Sequence, residues 1–350
     1  MSQSRVAVVI LNFNGKQFLQ QFLPFVTRHS SACKIVVADN NSSDDSVGFL
    51  KSNYSSVEII QNKSNSGFAK GYNDALKHVE AEYYVLLNSD VEVSENWIEN
   101  VITLMDSNPE IAACQPKILD FNNRSKFEYA GAAGGFIDKY GYPFCRGRVF
   151  NHLEEDKKQY NNSVEVFWAT GACMFVRAKA FWEVGGFDGD YFAHMEEIDL
   201  CWRLKNIGYK IYVEPKSVVY HVGGGTLNKL SSRKTFLNFR NNLTTIAKNH
   251  SPRFLFFKII FRMKLDGIAA FKFLLDGQPK HFVAVIRAHF AFYGWLPKTM
   301  AKRKQAKLHP NFQYTMAMAY NGNMVLEHFI RKKNSFTELS QSSFLDGTKQ

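Results

Sequence analysis

The 350-residue chain is poor in the features that mark secreted, membrane-spanning or zinc-dependent proteins. Its cysteines, Cys33, Cys114, Cys145, Cys173 and Cys201, are odd in number and form no C-x-x-C pair, which argues against a disulfide framework and a zinc cluster. A reducing, cytoplasmic setting is expected. No stretch approaches the ~18 to 20 uncharged apolar residues that a membrane-spanning helix needs. The first apolar run, residues 6–11, has no cleavage-site pattern behind it and is expected to be a strand, not a secretory signal. No G-x-G-x-x-G follows that run, Gly67-Phe68-Ala69-Lys70-Gly71 lacks the G-K-[ST] of a phosphate loop, and no G-x-S-x-G elbow occurs. Dinucleotide-binding, P-loop and serine-hydrolase templates are therefore unsupported.

What is present begins with an alternation. Short β-branched runs at 6–11, 34–38, 57–61, 83–87 and 111–115 are separated by helical patterns at 16–29, 44–53, 69–79 and 95–106. That spacing predicts βαβ units and a mostly parallel sheet, in which ligands bind beyond the carboxyl ends of the strands. The tips past the first four strands read Asn12-Phe13-Asn14-Gly15, Asp39-Asn40-Asn41-Ser42, Asn62 through Gly67, and Asn88-Ser89-Asp90. Asn, Ser and Asp are ordinary turn and cap residues, but four such tips on one sheet edge predict a site. Residues 121–160 are Gly-rich and irregular and read as loops and short strands. Two strands are expected within 164–176, around Gly171, then a helix at 195–207 and a strand at 210–214.

Three groups of residues could carry chemistry. Asp90, at a strand exit, is the kind of hard oxygen donor a divalent cation takes, with Asn88 beside it. His221 ends an apolar run and leads into Gly223, Gly224 and Gly225, which would let backbone approach a phosphate; ligand and core roles are equally open for it. Glu196, Glu197 and Asp199 follow the aromatic loop Tyr191-Phe192-Ala193-His194. Acids in a first helical turn complement the helix dipole, yet three exceed that need, and one of them could be a general base toward a hydroxyl.

Taken together these segments resemble glycosyltransferase family 2, with its GT-A fold, and within it a rhamnosyltransferase-like branch. The resemblance runs from about Val6 to Thr226 through Val9-Ile10-Leu11-Asn12-Phe13-Asn14, Val37-Ala38-Asp39-Asn40-Asn41-Ser42, Asn65-Ser66-Gly67-Phe68-Ala69-Lys70-Gly71-Tyr72-Asn73, Leu86-Leu87-Asn88-Ser89-Asp90, Thr170-Gly171-Ala172, Gly185-Gly186-Phe187-Asp188 and Glu196-Glu197-Ile198-Asp199-Leu200. Each piece is modest; their order is specific. It implies an inverting transfer from a nucleotide diphosphate sugar to an acceptor hydroxyl, in assembly of a cell-surface polysaccharide or lipid-linked oligosaccharide. By the resemblance, Leu11, Asn12, Asn14, Asp39, Asn65, Gly67, Asn73, Asn88, Ser89 and Gly171 surround the donor. Asp90 and His221 would hold Mg2+ or Mn2+. Glu197 stands where many members have the Asp of a Glu-Asp pair, the presumed base, with Glu196 or Asp199 as substitutes. Asn88 stands where the first acid of a D-x-D motif would be.

The charge is uneven. Residues 1–250 are neutral, whereas 251–307 hold 12 Lys and Arg against Asp266 and Asp276, a net +10. Phenylalanines alternate with these cations, the pattern of an interfacial amphipathic helix; a helix packed on the catalytic domain is the plainer reading. The expected organisation is a catalytic domain at 1–249, a basic helical extension at 250–334 touching a membrane surface, and a polar, disordered tail at 335–350. The expected acceptor is a glycan or lipid-linked glycan, and the expected location is cytoplasmic, peripheral on the inner face of the membrane. Nucleic acid is not expected, since no recognisable module accompanies the charge. A nucleotidyltransferase, or a non-catalytic membrane- or nucleic-acid-binding protein, are the competing readings.

Overall fold

A computed structural model describes residues 4–223 and 231–346. The alternation gives β1 (Val6–Asn12), α1 (Lys16–His29), β2 (Lys34–Asp39), α2 (Ser46–Asn53), β3 (Glu58–Gln61), α3 (Gly67–Leu76), β4 (Tyr83–Asn88), β5 (Val91–Val93), α4 (Glu99–Ser107) and β6 (Ile111–Asp120). Four short strands follow: β7 (Gly135–Ile137), β8 (Pro143–Cys145), β9 (Arg148–Val149) and β10 (His152–Leu153). Next come β11 (Val164–Val166), β12 (Cys173–Arg177), α5 (Ala178–Glu183), α6 (Glu196–Asn206) and β13 (Lys210–His221). The chain continues through α7 (Ser232–Asn249), α8 (Leu255–Leu275) and α9 (Pro279–Ala306).

Among the described residues the main sheet runs β3-β2-β1-β4-β12-β6-β13-β11, with β5 paired to β13. β1, β2, β3 and β4 are mutually parallel, and β6 is parallel to β13, while β12 runs against its neighbours β4 and β6. The carboxyl ends of β1 to β4, β6 and β13, and the amino end of β12, therefore share one edge. The inner strands read as near-continuous apolar runs because both faces are covered, one packed around Leu19, Trp97 and Met105 and the other around Tyr72, Phe181 and Trp202.

Two strands are longer than the sequence predicts. β6 reaches Asp120 instead of stopping at Gln115, and β13 reaches His221 instead of Glu214. Pro215 cannot donate to a ladder, and a register shift between Glu214 and Val218 absorbs it so that pairing resumes with Val218↔Lys117. This extension carries His221 to the functional edge.

The basic region forms two helices. α7 and α9 share a small core of Leu243, Ala247 and Phe292. Phe256, Phe257, Ile268, Phe271, Leu275 and Phe290 are exposed on α8 and α9. No helix among the described residues is long and apolar enough to cross a membrane. Much of the charge is used internally. Arg262 pairs with Asp266 at 2.8 Å, Lys298 with Asp190 at 2.6 Å, Lys302 with Asp188, and Arg303 donates to the Ala247 carbonyl at 2.7 Å.

Beyond α9 the chain returns to the catalytic body. Trp202 Nε1 donates to the Thr315 carbonyl at 3.1 Å, and the Met324 amide to Asp138 at 2.9 Å. Residues 335–346, expected from composition to be disordered, instead form short 3-10 turns at Phe336–Glu338 and Gln341–Ser343. Phe336 and Leu339 are buried there, Phe336 against Phe136 and Phe144. Phe344 and Leu345 pack on the same core, so a few apolar side chains in a polar stretch anchor it.

Candidate active site

The edge is assembled from strand tips that bond to one another. Asn12 is fully buried; its Nδ2 donates to Asp39 Oδ1 at 3.1 Å, and Asp39 Oδ2 accepts the Ser42 amide at 3.0 Å. Asn14 adopts φ 51° and accepts the Ser43 amide at 2.7 Å, so it ties the first tip to the second. Leu11, half-buried, precedes them on β1. Asn40 is a hub that the sequence did not single out. Its Nδ2 donates to Asn65 Oδ1 at 3.0 Å and to the Gly67 carbonyl at 3.1 Å, and its Oδ1 accepts from Asn62. Gly67 has φ 85°, and a Cβ there would lie 2.4 Å from the Phe192 carbonyl oxygen, so only glycine lets α3 start against that loop.

The fourth tip meets the end of β13. The buried Asp90 Oδ1 lies 3.2 Å from His221 Nε2, and Asn88 Nδ2 lies 3.5 Å from the same nitrogen. On the other side of the ring, His221 Nδ1 is 3.4 Å from Glu128 Oε2. These two carboxylates outweigh the cost of burial and push the His221 imidazole up to about 10. Ser89 faces the first tip, its Oγ 3.4 Å from where a Cβ on Gly15 would be. Gly223 follows with φ 71°; Gly224 and Gly225, expected near a phosphate, lie outside the described residues.

Glu197 enters from α6. The Asn88 amide donates to the Ala172 carbonyl at 3.0 Å, which places Gly171 beside the fourth tip. A Cβ on Gly171 would come within 3.1 Å of the Phe68 ring and 3.9 Å of Glu197 Cβ, so Glu197 is a neighbour of Gly171 beside the fourth tip. The loop before α6 is strained: Phe192, His194 and Met195 all have positive φ, at 63°, 70° and 73°. Asn241 of α7 holds it, donating to the carbonyls of Tyr191, Ala193 and His194 at 3.1, 3.0 and 2.8 Å. Desolvation raises the Glu197 carboxyl to about 7, against amide hydrogen bonds at the helix start that lower it. Glu196 is more deeply buried and is pushed well above the carboxylate range by desolvation, then by Glu197.

Other expected site residues go elsewhere. Asp199 is fully buried, with Oδ1 2.7 Å from Lys248 Nζ and Oδ2 2.8 Å from Arg203 Nε. Asn73 exchanges two hydrogen bonds with the backbone of Phe187, at 2.8 and 2.9 Å, and so fixes the Gly185–Asp188 turn. Glu128 and Asn241, which do face the site or its loop, carried no signal in the sequence. Glu128 sits in an irregular stretch, and Asn241 in the middle of an amphipathic helix.

Several buried polar atoms along this edge and its loop have no hydrogen-bond partner among the described residues: Asn12 Oδ1, Glu196 Oε2, Glu197 Oε2, His194 Nε2 and His221 Nδ1. Buried polar atoms are rarely left so unless a ligand or water serves them. For a divalent cation, the donor set of Asp90 Oδ1 and His221 Nε2 fits an incomplete shell. Among the described residues no cluster of three or more His, Cys, Asp or Glu side chains is arranged to hold a metal unaided. A hard cation here would need oxygens from a bound ligand.

The profile of the glycosyl transferase family 2 matches residues 7–185, and the chain belongs to that family. It is 24% identical over 235 residues to the N-acetylglucosaminyl-diphospho-decaprenol L-rhamnosyltransferase of Mycobacterium tuberculosis, covering 63% of this chain and 76% of that one. It is 25% identical over 226 residues to the rhamnosyltransferase WbbL of Escherichia coli K12, covering 62% and 83%. The fold is that of GT-A glycosyltransferases. The mannosyltransferase PcManGT from Pyrobaculum calidifontis, solved with GDP-Man and Mn2+, superposes with TM-score 0.51 at 14% identity, covering 88% of this chain and 87% of that one. The chain is a glycosyltransferase.

Proposed function

We propose that this enzyme is an inverting, divalent-metal-dependent glycosyltransferase that takes a hexosyl group, of the rhamnosyl type, from a nucleoside diphosphate sugar. The observation that carries the reading is the meeting of Asp90 with His221 at 3.2 Å on the sheet edge, with Glu197 next to Gly171 beside it. Asp90 and His221 would hold Mn2+ or Mg2+, and the cation, when bound, supplies Lewis-acid stabilisation of the departing diphosphate. The donor nucleotide lies along the tips that carry Leu11, Asn12, Asp39, Asn65 and Gly67. Glu197 takes the proton of the acceptor hydroxyl as that oxygen attacks the anomeric carbon and the bond to the diphosphate breaks. A carboxyl poised near 7 suits a base that must be ionised in neutral solution yet still hold a proton.

The acceptor we assign is a lipid-linked glycan, met at a membrane surface. The exposed rings of Phe256, Phe257, Phe271 and Phe290, with cations between them, support that assignment. So does the mycobacterial relative, which is named as a transferase acting on a diphospho-decaprenol compound. On this reading the enzyme works peripherally on the cytoplasmic face. Isothermal titration with UDP, GDP and dTDP, each with and without Mn2+, tests the donor half. Binding of one nucleotide that tightens at least tenfold with Mn2+ is expected. Mn2+-indifferent binding, or none, overturns the metal assignment.

A further inference from the structure

Glu128 is buried against the back of the His221 ring and plays no part in the assignments above. The chain reaches this place by turning back on β6. Leu119 bridges Phe127, and the Glu128 amide donates to the Ile118 carbonyl at 3.1 Å. Glu128 Oε2 accepts the Ala130 amide at 2.5 Å, which locks the carboxylate, and the same oxygen lies 3.4 Å from His221 Nδ1. Nδ1 is buried and makes no regular hydrogen bond among the described residues, so at 3.4 Å Glu128 is a close ionic neighbour that needs only a small approach to become its acceptor. Its second oxygen, Oε1, lies under the strand exit, where a Cβ on Gly223 would approach it to 2.9 Å. The opposite ring nitrogen, Nε2, is the one beside Asp90.

We propose that Glu128 is a positioning residue for the metal site: it accepts the Nδ1–H of His221, fixes the ring plane, and presents the Nε2 lone pair beside Asp90. This rests on the reading of Asp90 and His221 as metal ligands. Glu128 lies on the far edge of the imidazole, so it acts through His221 and is not a ligand itself. Carboxylates that orient a ligating histidine typically set 10–100-fold in metal affinity, which is the size of effect expected here. Gly223 has a matching part, since any side chain at that position would press on the Glu128 carboxylate.

The test is Mn2+ binding by electron paramagnetic resonance, in the presence of whichever of UDP, GDP or dTDP binds, for wild type, Glu128→Gln, Glu128→Ala and Asp90→Ala. Spin-echo spectra report whether a nitrogen ligand couples to bound Mn2+. Wild type is expected to show nitrogen coupling. Glu128→Ala is expected to weaken Mn2+ about 10–100-fold and lose much of that coupling. Glu128→Gln, which keeps an acceptor oxygen, falls between, and metal-free nucleotide affinity stays unchanged. Should Glu128→Ala fail to fold, Glu128→Gln carries the comparison. If wild type binds no Mn2+ with any nucleotide, the metal reading fails and this inference with it. If wild type binds Mn2+ and the Glu128 variants bind it equally well with the same coupling, the metal reading stands and the positioning role is overturned.

Discussion

Lys248 Nζ stands 2.7 Å from Asp199 Oδ1 in a region closed to solvent, and Arg203 occupies the other oxygen of the same carboxylate. Lys248 also reaches Asp188 at 2.7 Å, so one ammonium links α7 to the first turn of α6 and to the turn before it. Asp199 is thereby committed to holding α6, the helix that presents Glu197. Asp199→Asn should lower the melting temperature, since breaking one partner of a buried pair costs about 3–5 kcal/mol. Turnover per folded molecule should change far less than in Glu197→Gln. Calorimetry beside kcat decides this; normal stability with lost turnover would return Asp199 to the base role.

Glu197→Gln should lower kcat by about 10²–10⁴-fold, the usual worth of a positioned base. The donor KM should stay nearly unchanged, because the lost interaction is made in the transition state. Glu196→Gln should cost much less, since burial, and then Glu197, push that carboxyl well above the carboxylate range and disfavour its ionised form. Steady-state kinetics with saturating acceptor makes the comparison, and near-normal turnover in Glu197→Gln would rule it out as the base.

The raised Glu197 carboxyl also sets a pH dependence. As base it must be ionised, so kcat should fall about tenfold per pH unit below about 7. The stability effect has the opposite sign. A carboxyl whose value is raised on folding favours the native state in acid, and that contribution is lost as pH climbs from its unfolded value toward about 7. Glu197→Gln should therefore gain stability over wild type at pH 8 and match it near pH 4. Denaturant titrations at both values check the sign; an equal gap at both pH values would mean that Glu197 is not desolvated.

The parallel half of the sheet was legible because its strands are buried on both faces, so Val6 to Leu11 and Tyr83 to Leu87 stand out as apolar runs ended by Asn or Asp. The choice among Glu196, Glu197 and Asp199 was not. Successive helical residues are about 100° apart, and nothing local says which direction faces the sheet edge. The orientation of α6 depends on the Asn241 clamp on the preceding loop and on Lys248, both from a helix some fifty residues further on. Glu128 was invisible for a similar reason: only the reversal after β6 brings it behind His221. The basic segment is a third case. Its apolar period fits a packed helix and an exposed one alike, and α9 is both, with Phe292 buried and Phe290 exposed two residues away.

Those exposed rings make the membrane claim testable without truncation. Ending the chain near Asn249 would uncover the core that Met316, Tyr320 and Phe336 complete, so surface substitutions are the cleaner tool. The full chain should pellet with vesicles containing anionic lipid, and salt should release only part of it, because screening weakens the electrostatic share alone. A triple change, Phe256→Ser, Phe257→Ser and Phe290→Ser, should leave the melting temperature unchanged and abolish the salt-resistant fraction. Equal sedimentation of both proteins would mean that this face does not enter the bilayer.

If Asp90 and His221 hold the cation, transfer depends on a divalent metal. The direct measurement is release of nucleoside diphosphate from a panel of UDP-, GDP- and dTDP-sugars in the presence of lipid-linked glycan acceptors, with Mn2+ or with chelator, for wild type and Asp90→Ala. One donor should support Mn2+-dependent release that chelator stops, and Asp90→Ala should lose that release while its circular dichroism matches wild type. Undiminished release by Asp90→Ala in the presence of chelator would mean that transfer needs neither the cation nor Asp90.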